Sequence, residues 1–272
     1  MLPNFLVIGA MKAGTTSLFS YLEGHPDVSM PWSKELDFFS NEDRWTLGTA
    51  WYEAQFPDEA LAVGEASPNY TKRHLFPETA ERIIATLPGV RLIYLVRDPI
   101  ERLQSMYVDM LAYGGETRAI DEAVRADPDY VLTSCYGYQL EPFVEHTGTA
   151  NLLVISAAKL SDDRFVTMRE IYRFLGIDDD YLPAGIDKDI NTRAEKRVAR
   201  RVGRRLLRND RYRSLVDADA RWSRLHHACL TRPPRTSDVE LSADVLAEIG
   251  ERFAEDGELL RSLLGHDPLA ST

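Results

Sequence analysis

Short, continuously apolar runs alternate along this chain with segments of helical periodicity. The clearest runs are residues 5–8, 92–96 and 152–155. A strand that is apolar at every position is typical of a sheet with both faces covered, and strands that alternate with helices usually form parallel neighbours. The alternation therefore predicts an α/β fold in three layers, with a central, mostly parallel sheet flanked by helices.

Glycine and proline mark the ends of the predicted helices, of which the first three are residues 15–23, 77–87 and 100–112. Ser161 is expected to cap a fourth helix. Its apolar stripe ends before Gly176 and consists of Phe165, Met168, Ile171, Phe174 and Leu175. A last amphipathic helix carries Leu246, Ile249, Phe253, Leu259, Leu260 and Leu263.

Composition narrows the class of protein. The chain has 272 residues, which suits one large domain, and its formal net charge of −11 argues against a general nucleic-acid-binding role. Cys135 and Cys229 are too few for a disulfide framework, and neither has the neighbours of a metal site.

No apolar run approaches the length of a membrane span, and the first residues show no signal-peptide pattern, so we expect a cytoplasmic protein. The excess of Arg over Lys is typical of a GC-rich bacterial genome.

One segment departs from this acidic composition. Residues 193–213 contain ten basic and two acidic residues, a local charge of +8. Two interpretations are open, a solvated helix face or a lid that attracts a polyanionic ligand. The basic residues are Arg193, Lys196, Arg197, Arg200, Arg201, Arg204, Arg205, Arg208, Arg211 and Arg213.

The loop after the first strand has the composition of an anion site. In residues 9–18, two glycines allow a tight turn and a close approach of the backbone. The loop also opens a helix, where backbone N–H groups and the helix dipole favour a phosphate or sulfate. The polar side chains that this loop offers are Lys12, Thr15, Thr16 and Ser17.

This loop is not a Walker A motif, in which Lys follows the second glycine directly. Here Thr15 follows Gly14, and Lys12 precedes it by two residues. The strand at 92–96 ends in Arg97 rather than in a magnesium-binding carboxylate, so a P-loop kinase is disfavoured. An ordinary strand-to-helix turn would need neither the lysine nor the three hydroxyls.

A strand followed by G-x-x-K-x-G-T-[TS]-[SA]-L resembles the 5′-phosphosulfate loop of sulfotransferases that use 3′-phosphoadenosine 5′-phosphosulfate (PAPS). The second signature of that superfamily is an Arg after a strand with a Ser eight residues later, as in Arg97 and Ser105. The resemblance implies a P-loop-like fold, and it implies that Arg97 and Ser105 bind the 3′-phosphate. A surface ion pair of Arg97 with Asp98 or Glu101 is the alternative. For the 5′-phosphosulfate the resemblance implies Lys12, Ala13, Gly14, Thr15, Thr16 and Ser17.

Further segments resemble the heparan sulfate N- and O-sulfotransferase branch of that family. The stretch E-L-D-F-F at 35–39 is similar to its E-x-x-F-F element, which implies Glu35 as the catalytic base; His25 and His74 are alternatives. The stretches G-E-A-S-P-N-Y at 64–70 and Y-G-Y-Q-L-E-P-F at 136–143 are similar to two more of its elements. Ala66 and Gln139 depart from the branch, and both lie on the acceptor side.

The resemblance implies transfer of a sulfonate from PAPS to a hydroxyl, or secondarily an amine, of a carbohydrate, glycolipid or secondary metabolite. Lys12 and Glu35 would be catalytic, Arg193 and Arg197 would contact the donor, and no metal would be needed. We expect a single sulfotransferase domain over 1–272, with a donor-binding core at 1–180, a basic lid or rim at 190–235 and a C-terminal helix at 240–265. The expected partner is a small-molecule or glycan acceptor, without nucleic acid or integral membrane association. A non-catalytic module that binds phosphoadenylates or nucleic acid remains an alternative, as does the kinase.

Overall fold

A computed structural model describes residues 1–57, 59–113, 115–183, 186, 196–199, 201–207, 209, 212 and 229–270. The chain divides into two compact units. The first comprises Met1–Arg102, Leu132–Ile190 and Glu251–Thr272, and the second comprises Leu103–Val131 and Asn191–Gly250. Each unit is described by itself.

The first unit is built on a parallel five-stranded sheet, which confirms the predicted α/β class. The strand order is β2-β3-β1-β4-β5, and every neighbouring pair is parallel. The strands are β1 (Phe5–Gly9), β2 (Val28–Ser29), β3 (Ala62–Ala66), β4 (Arg91–Val96) and β5 (Leu152–Ser156).

The central strands form the core of this unit, as their continuous apolar runs require. All residues of β1 and β3 are buried, and so are all residues of β4 after Arg91. β1 lies between β3 and β4, and both pairs are parallel, so the loops that follow these three strands lie at the same edge of the sheet. Ligands of open α/β sheets bind at such a point.

Helices occupy the connections and one long helix lies near the C-terminus. They are α1 (Thr15–Glu23), α2 (Glu42–Trp45), α3 (Gly48–Glu53), α4 (Thr79–Thr86), α5 (Pro99–Ala112), α6 (Ile120–Ala126), α7 (Asp129–Leu132), α8 (Tyr136–Thr147), α9 (Ala157–Asp162), α10 (Arg164–Leu175), α11 (Arg201–Leu207) and α12 (Ala243–Leu264). No helix among the described residues is long and apolar enough to cross a membrane.

The predicted cap at Ser161 is wrong. Ser161 lies inside α9, and the capping residue is Ser156, whose side-chain oxygen accepts a hydrogen bond from the Ala158 amide at 3.2 Å. Asp163 then leaves helical geometry, with φ −129° and ψ 57°, so that α10 starts as a separate helix. The buried apolar stripe of α10 is also narrower than predicted, because Phe165 is 43% exposed.

The second unit contains the described part of the basic segment. A short antiparallel pair joins β6 (Val198–Ala199) to β7 (Thr231–Arg232). Lys196 is buried, and its Nζ lies 2.7 Å from the Asp109 carboxylate. Five of the predicted basic residues lie outside the described residues: Arg193, Arg200, Arg208, Arg211 and Arg213.

Candidate active site

The loop after β1 packs closely against Thr71, which follows β3, and against Tyr94 of β4. A Cβ added at Gly9 would come within 2.3 Å of the Thr71 hydroxyl and 2.7 Å of the Tyr94 ring. The Ala10 amide donates to the Leu95 carbonyl at 2.9 Å. Only glycine fits at position 9, because any side chain there would collide with Thr71 and Tyr94. These contacts fix the position of the loop relative to β4.

The start of α1 is the part of the fold to which the predicted anion site belongs. Gly14 caps the helix with φ 104°, and having no side chain it leaves the first turn of amides to an external acceptor. Lys12 is half-buried and also has a positive φ of 70°. Thr15 is buried, whereas Thr16 and Ser17 are half-buried. The first turn thus presents amides and hydroxyls at the positive end of the helix dipole.

Arg97 directly follows β4 at the same edge of the sheet. The Tyr136 hydroxyl donates to its carbonyl at 2.8 Å. Its guanidinium Nε and Nη2 donate to Glu101 at 3.0 and 2.9 Å, so the ion pair that the sequence left open is present. Since the side chains of Arg97 and Glu101 are 37% and 58% exposed, this pair contributes little stability. The guanidinium can exchange Glu101 for a phosphate at small cost.

The other predicted donor contacts do not belong to the first unit. Ser105 lies in α5 and is half-buried. Arg197 donates through Nε to the Thr231 hydroxyl at 2.9 Å within the second unit. Arg193 is not among the described residues. The site in the first unit therefore rests on the loops after β1 and β4, on the loop after β2 that contains Glu35, and on residues in and after β3.

Glu35 lies in a strained loop between β2 and α2. The backbone φ is 64° at Glu35 and 48° at Asp37, a region that residues other than glycine adopt infrequently. The Lys34 ammonium contacts the Glu35 carboxylate, and Arg44 donates to the Glu35 carbonyl at 2.9 Å. Arg44 also bonds the Leu36 carbonyl. These contacts hold the predicted base in one backbone conformation with its side chain 43% exposed.

A buried network that sequence reasoning missed supports this loop. Glu65, in β3, is fully buried and accepts hydrogen bonds from Tyr52 at 2.6 Å, Tyr70 at 2.5 Å and Ser67 at 2.6 Å. The Ser67 oxygen in turn accepts the Asp37 amide at 3.0 Å. Burial raises the pKa of Glu65, and the three donors act in the opposite direction. The sequence does contain a signal for this network, because Glu65 is the one charged residue in the otherwise uncharged strand A-V-G-E-A.

A cleft of about 490 Å³ opens beside this loop, a size typical of small-molecule sites. We call it the acidic cleft, since four of its lining residues are carboxylates and one is an arginine. It is lined by Asp37, Phe39, Ser40, Asn41, Glu42, Asp43, Asn69, Leu75, Phe76, Pro77, Glu78, Thr79 and Arg82.

The two histidines considered as alternative bases make structural contacts. His25 is buried, its Nδ1 accepts the Asp27 amide at 3.0 Å, and its Nε2 therefore carries a proton that it donates to the Asp178 carbonyl at 2.8 Å. His74 Nδ1 lies 3.1 Å from the amide nitrogen of Gln139. Gln139 is itself buried and also accepts the Arg73 amide at 2.8 Å, so it connects two segments of the fold.

Comparison with known proteins identifies relatives of this chain. A segment of 111 residues is 40% identical to the membrane-associated sulfotransferase kil1 of Dictyostelium discoideum and covers 39% of this chain and 22% of that one. A segment of 187 residues is 29% identical to heparan sulfate glucosamine 3-O-sulfotransferase 3A1 of Mus musculus, covering 65% and 46%. The chain thus spans less than half the length of these curated relatives.

A solved structure shows the same fold over nearly the whole chain. The crystal structure of a sulfotransferase from Alicyclobacillus acidocaldarius covers 98% of this chain and 97% of its own, with a TM-score of 0.70 and 23% identity. The heparan sulfate relatives confirm the resemblance drawn from the motifs. A family model for the sulfotransferase domain matches residues 2–196, more than half of the chain, and the chain therefore belongs to the sulfotransferase family.

Proposed function

We propose that this protein transfers a sulfonate group from PAPS to a hydroxyl of a small-molecule or glycan acceptor. The observation that carries the proposal is the loop at 9–14, where a glycine-capped helix start lies beside Lys12 and one strand from Arg97. A nucleotide that is phosphorylated at both its 5′ and 3′ ends needs positively charged groups and amide donors at each end. PAPS supplies an activated sulfonate whose sulfur bonds to the acceptor oxygen while its bond to the 5′-phosphate oxygen breaks.

The residues of the β1 loop fit the 5′ end of this donor. Ala13 and Gly14 lead into the first turn of α1, whose amides together with Thr15, Thr16 and Ser17 suit the 5′-phosphate. Lys12 neutralises charge on the bridging and leaving oxygens as it develops, which is the main protein contribution to transfers of this type. The close fit of Gly9 against Thr71 and Tyr94 keeps this loop preorganised.

Arg97 is the residue proposed to recognise the 3′-phosphate, with Ser105, Arg193 and Arg197 as further contacts. An arginine fork binds phosphate oxygens bidentately, and the ion pair with Glu101 keeps the side chain near the end of β4 until the donor binds.

Glu101→Gln removes the carboxylate that competes with the 3′-phosphate for Arg97, so the affinity for the donor should be equal or higher. A loss of donor affinity in Glu101→Gln would contradict the exchange.

Glu35 is proposed to take the proton of the acceptor hydroxyl. Its loop also contributes Asp37 to the acidic cleft, so the carboxylate lies two residues from a cleft wall. The hydrogen-bonded state of both nitrogens of His25 disfavours that residue as the base. A pure phosphoadenylate-binding module would not need a base, and a magnesium-dependent kinase would need the carboxylate that Arg97 replaces at the end of β4.

The donor is tested by ligand-dependent melting. 3′-Phosphoadenosine 5′-phosphate should raise the melting temperature, because a ligand that binds only the folded state stabilises it by mass action. ATP with magnesium should raise it much less, and Lys12→Ala should reduce the shift. An equal shift with both nucleotides, or none with the bisphosphate, would refute the donor assignment.

A further inference from the structure

A buried tyrosine at the start of α8 contacts the backbone of Arg97. Tyr136, the first residue of α8, is 1% exposed. Its hydroxyl donates to the Arg97 carbonyl at 2.8 Å and accepts the Arg97 amide at 3.3 Å. Its ring packs edge-on against Tyr94 of β4, with the ring centroids 6.0 Å apart. One side chain therefore binds both backbone polar groups of Arg97, directly after the last paired residue of β4, Val96.

A second buried contact fixes the same loop. Ser134 is 1% exposed, and its hydroxyl donates to the carbonyl of Pro99 at 2.9 Å. The same hydroxyl accepts a hydrogen bond from Nε of Arg102 at 2.5 Å, and Arg102 is fully buried. Residues 97–102 are thus held at two points by side chains that lie only two positions apart in the sequence.

The start of α8 is itself held against α12. The Asp256 carboxylate accepts the amides of Gly137 and Tyr138 at 2.9 and 2.8 Å. A Cβ added at Gly137 would lie 2.7 Å from the Asp256 carbonyl oxygen and 2.8 Å from the Leu260 amide nitrogen, so the two helix backbones are in close contact. Because the carboxylate binds amides that a helix leaves unpaired at its first turn, α8 begins at a fixed place and Tyr136 with it.

These backbone contacts matter because the side chain of Arg97 has to change partners. Its guanidinium forms an exposed ion pair with Glu101, which contributes little stability and must break before a phosphate is bound. The buried contacts of Arg97 are made by its backbone instead. A group that is held in its bound position before the ligand arrives loses less entropy on binding. The contacts with Tyr136 therefore prepare Arg97 for phosphate while its side chain stays free to exchange Glu101.

We propose that Tyr136 is a positioning residue for donor specificity, whose hydroxyl fixes the backbone of Arg97 so that the guanidinium meets the 3′-phosphate. This inference rests on the proposed function, in which Arg97 recognises that phosphate. Tyr136 acts through Arg97 and is assigned no contact with the donor. Loss of its hydroxyl should therefore weaken the binding of nucleotides that carry a 3′-phosphate and spare those that lack one.

The test compares two nucleotides that differ only in the 3′-phosphate. Calorimetry gives the affinities of the 272-residue chain for 3′-phosphoadenosine 5′-phosphate and for adenosine 5′-phosphate. The ratio of the two affinities measures recognition of the 3′-phosphate. Tyr136→Phe removes the hydroxyl and keeps the ring, so it should lower this ratio about tenfold. A merely structural role would lower the melting temperature and affect both nucleotides alike.

Tyr172→Phe is the matched control. Tyr172 is also fully buried, and within the described part of the chain its hydroxyl has no hydrogen-bond partner. Its removal should leave the ratio unchanged.

A double-mutant cycle shows whether Tyr136 acts through Arg97. Arg97→Ala alone should lower the ratio further than Tyr136→Phe does. Adding Tyr136→Phe to Arg97→Ala should then change the ratio by less than about twofold. If Tyr136→Phe does not fold, Asp256→Asn takes its place in the cycle, because an amide side chain offers the α8 amides one acceptor oxygen instead of two.

The outcomes distinguish this inference from the proposed function. If Arg97→Ala lowers the ratio but Tyr136→Phe leaves it unchanged, the inference is refuted and the proposed function stands. The same holds if Tyr136→Phe lowers the ratio by an equal factor with and without Arg97. If Arg97→Ala itself leaves the ratio unchanged, the role of Arg97 in the proposed function fails, and the inference fails with it.

Discussion

Ser67→Ala tests whether the buried Glu65 network holds the Glu35 loop. The substitution removes the hydroxyl that donates to Glu65 at 2.6 Å and accepts the Asp37 amide at 3.0 Å. A hydrogen bond to a charged group contributes about 1.5–3 kcal/mol and a neutral one about 0.5–1.5. With Glu65 ionised, the expected loss is therefore about 2–4.5 kcal/mol of unfolding free energy.

The size of the protein converts this loss into a measurable shift. For chains of this length 1 kcal/mol corresponds to about 2–4 °C, so Ser67→Ala should lower the melting temperature by roughly 4–18 °C. Urea unfolding followed by circular dichroism gives the free energy directly. Turnover should fall as well, because residues 35 and 37 hold positive φ values only while their surroundings fix them.

Ser40→Ala is the matched control for stability. Ser40 is a buried serine in the same region, and its hydroxyl makes only a long contact of 3.4 Å with the Asp37 carbonyl. Its removal should cost under about 1 kcal/mol. If Ser67→Ala loses no more stability than Ser40→Ala, the network does not support the loop and the reasoning is refuted.

Arg97→Ala should weaken binding of the bisphosphate by about 2–4 kcal/mol in calorimetry and leave adenosine 5′-phosphosulfate nearly unaffected; equal losses would show that Arg97 does not read the 3′-phosphate. Lys12→Ala should reduce both donor affinity and turnover. Glu35→Gln should reduce turnover on a working acceptor by about 10²–10⁴ with donor affinity and melting temperature nearly unchanged, and near-normal turnover would exclude it as the base. Burial raises the pKa of Cys135 to about 11, so a thiol reagent at neutral pH should label the exposed Cys229 alone in the native protein; labelling of Cys135 would contradict its burial.

The local elements of the donor site could be predicted from sequence. Residues 15–23 are helical as expected, and the apolar runs at 5–8 and 92–96 are buried parallel strands. Their signals are local, since hydrophobic periodicity and glycine placement act within a few residues. The motif around Lys12 and Gly14 was equally local, and its family assignment is confirmed.

Contacts between distant segments required the tertiary structure. Ser67 connects β3 to a loop about thirty residues earlier. It donates to Glu65 and accepts the Asp37 amide, and no periodicity in the sequence encodes that pairing. The separation of α9 from α10 at Asp163 was also missed, because a helix-like pattern continues across the break.

The sequence by itself determined the fold class and the family, because apolar runs, helical periodicity and short motifs are all local patterns that can be read along the chain. Only the tertiary structure decided the charge of the acidic cleft and the exchange partner of Arg97. Residues from 37 to 82 line that cleft together, and their summed charge exists only once the chain has brought them into one cleft. Electrostatic character and burial are properties of such assembled surfaces, so they follow from the fold and not from the order of residues.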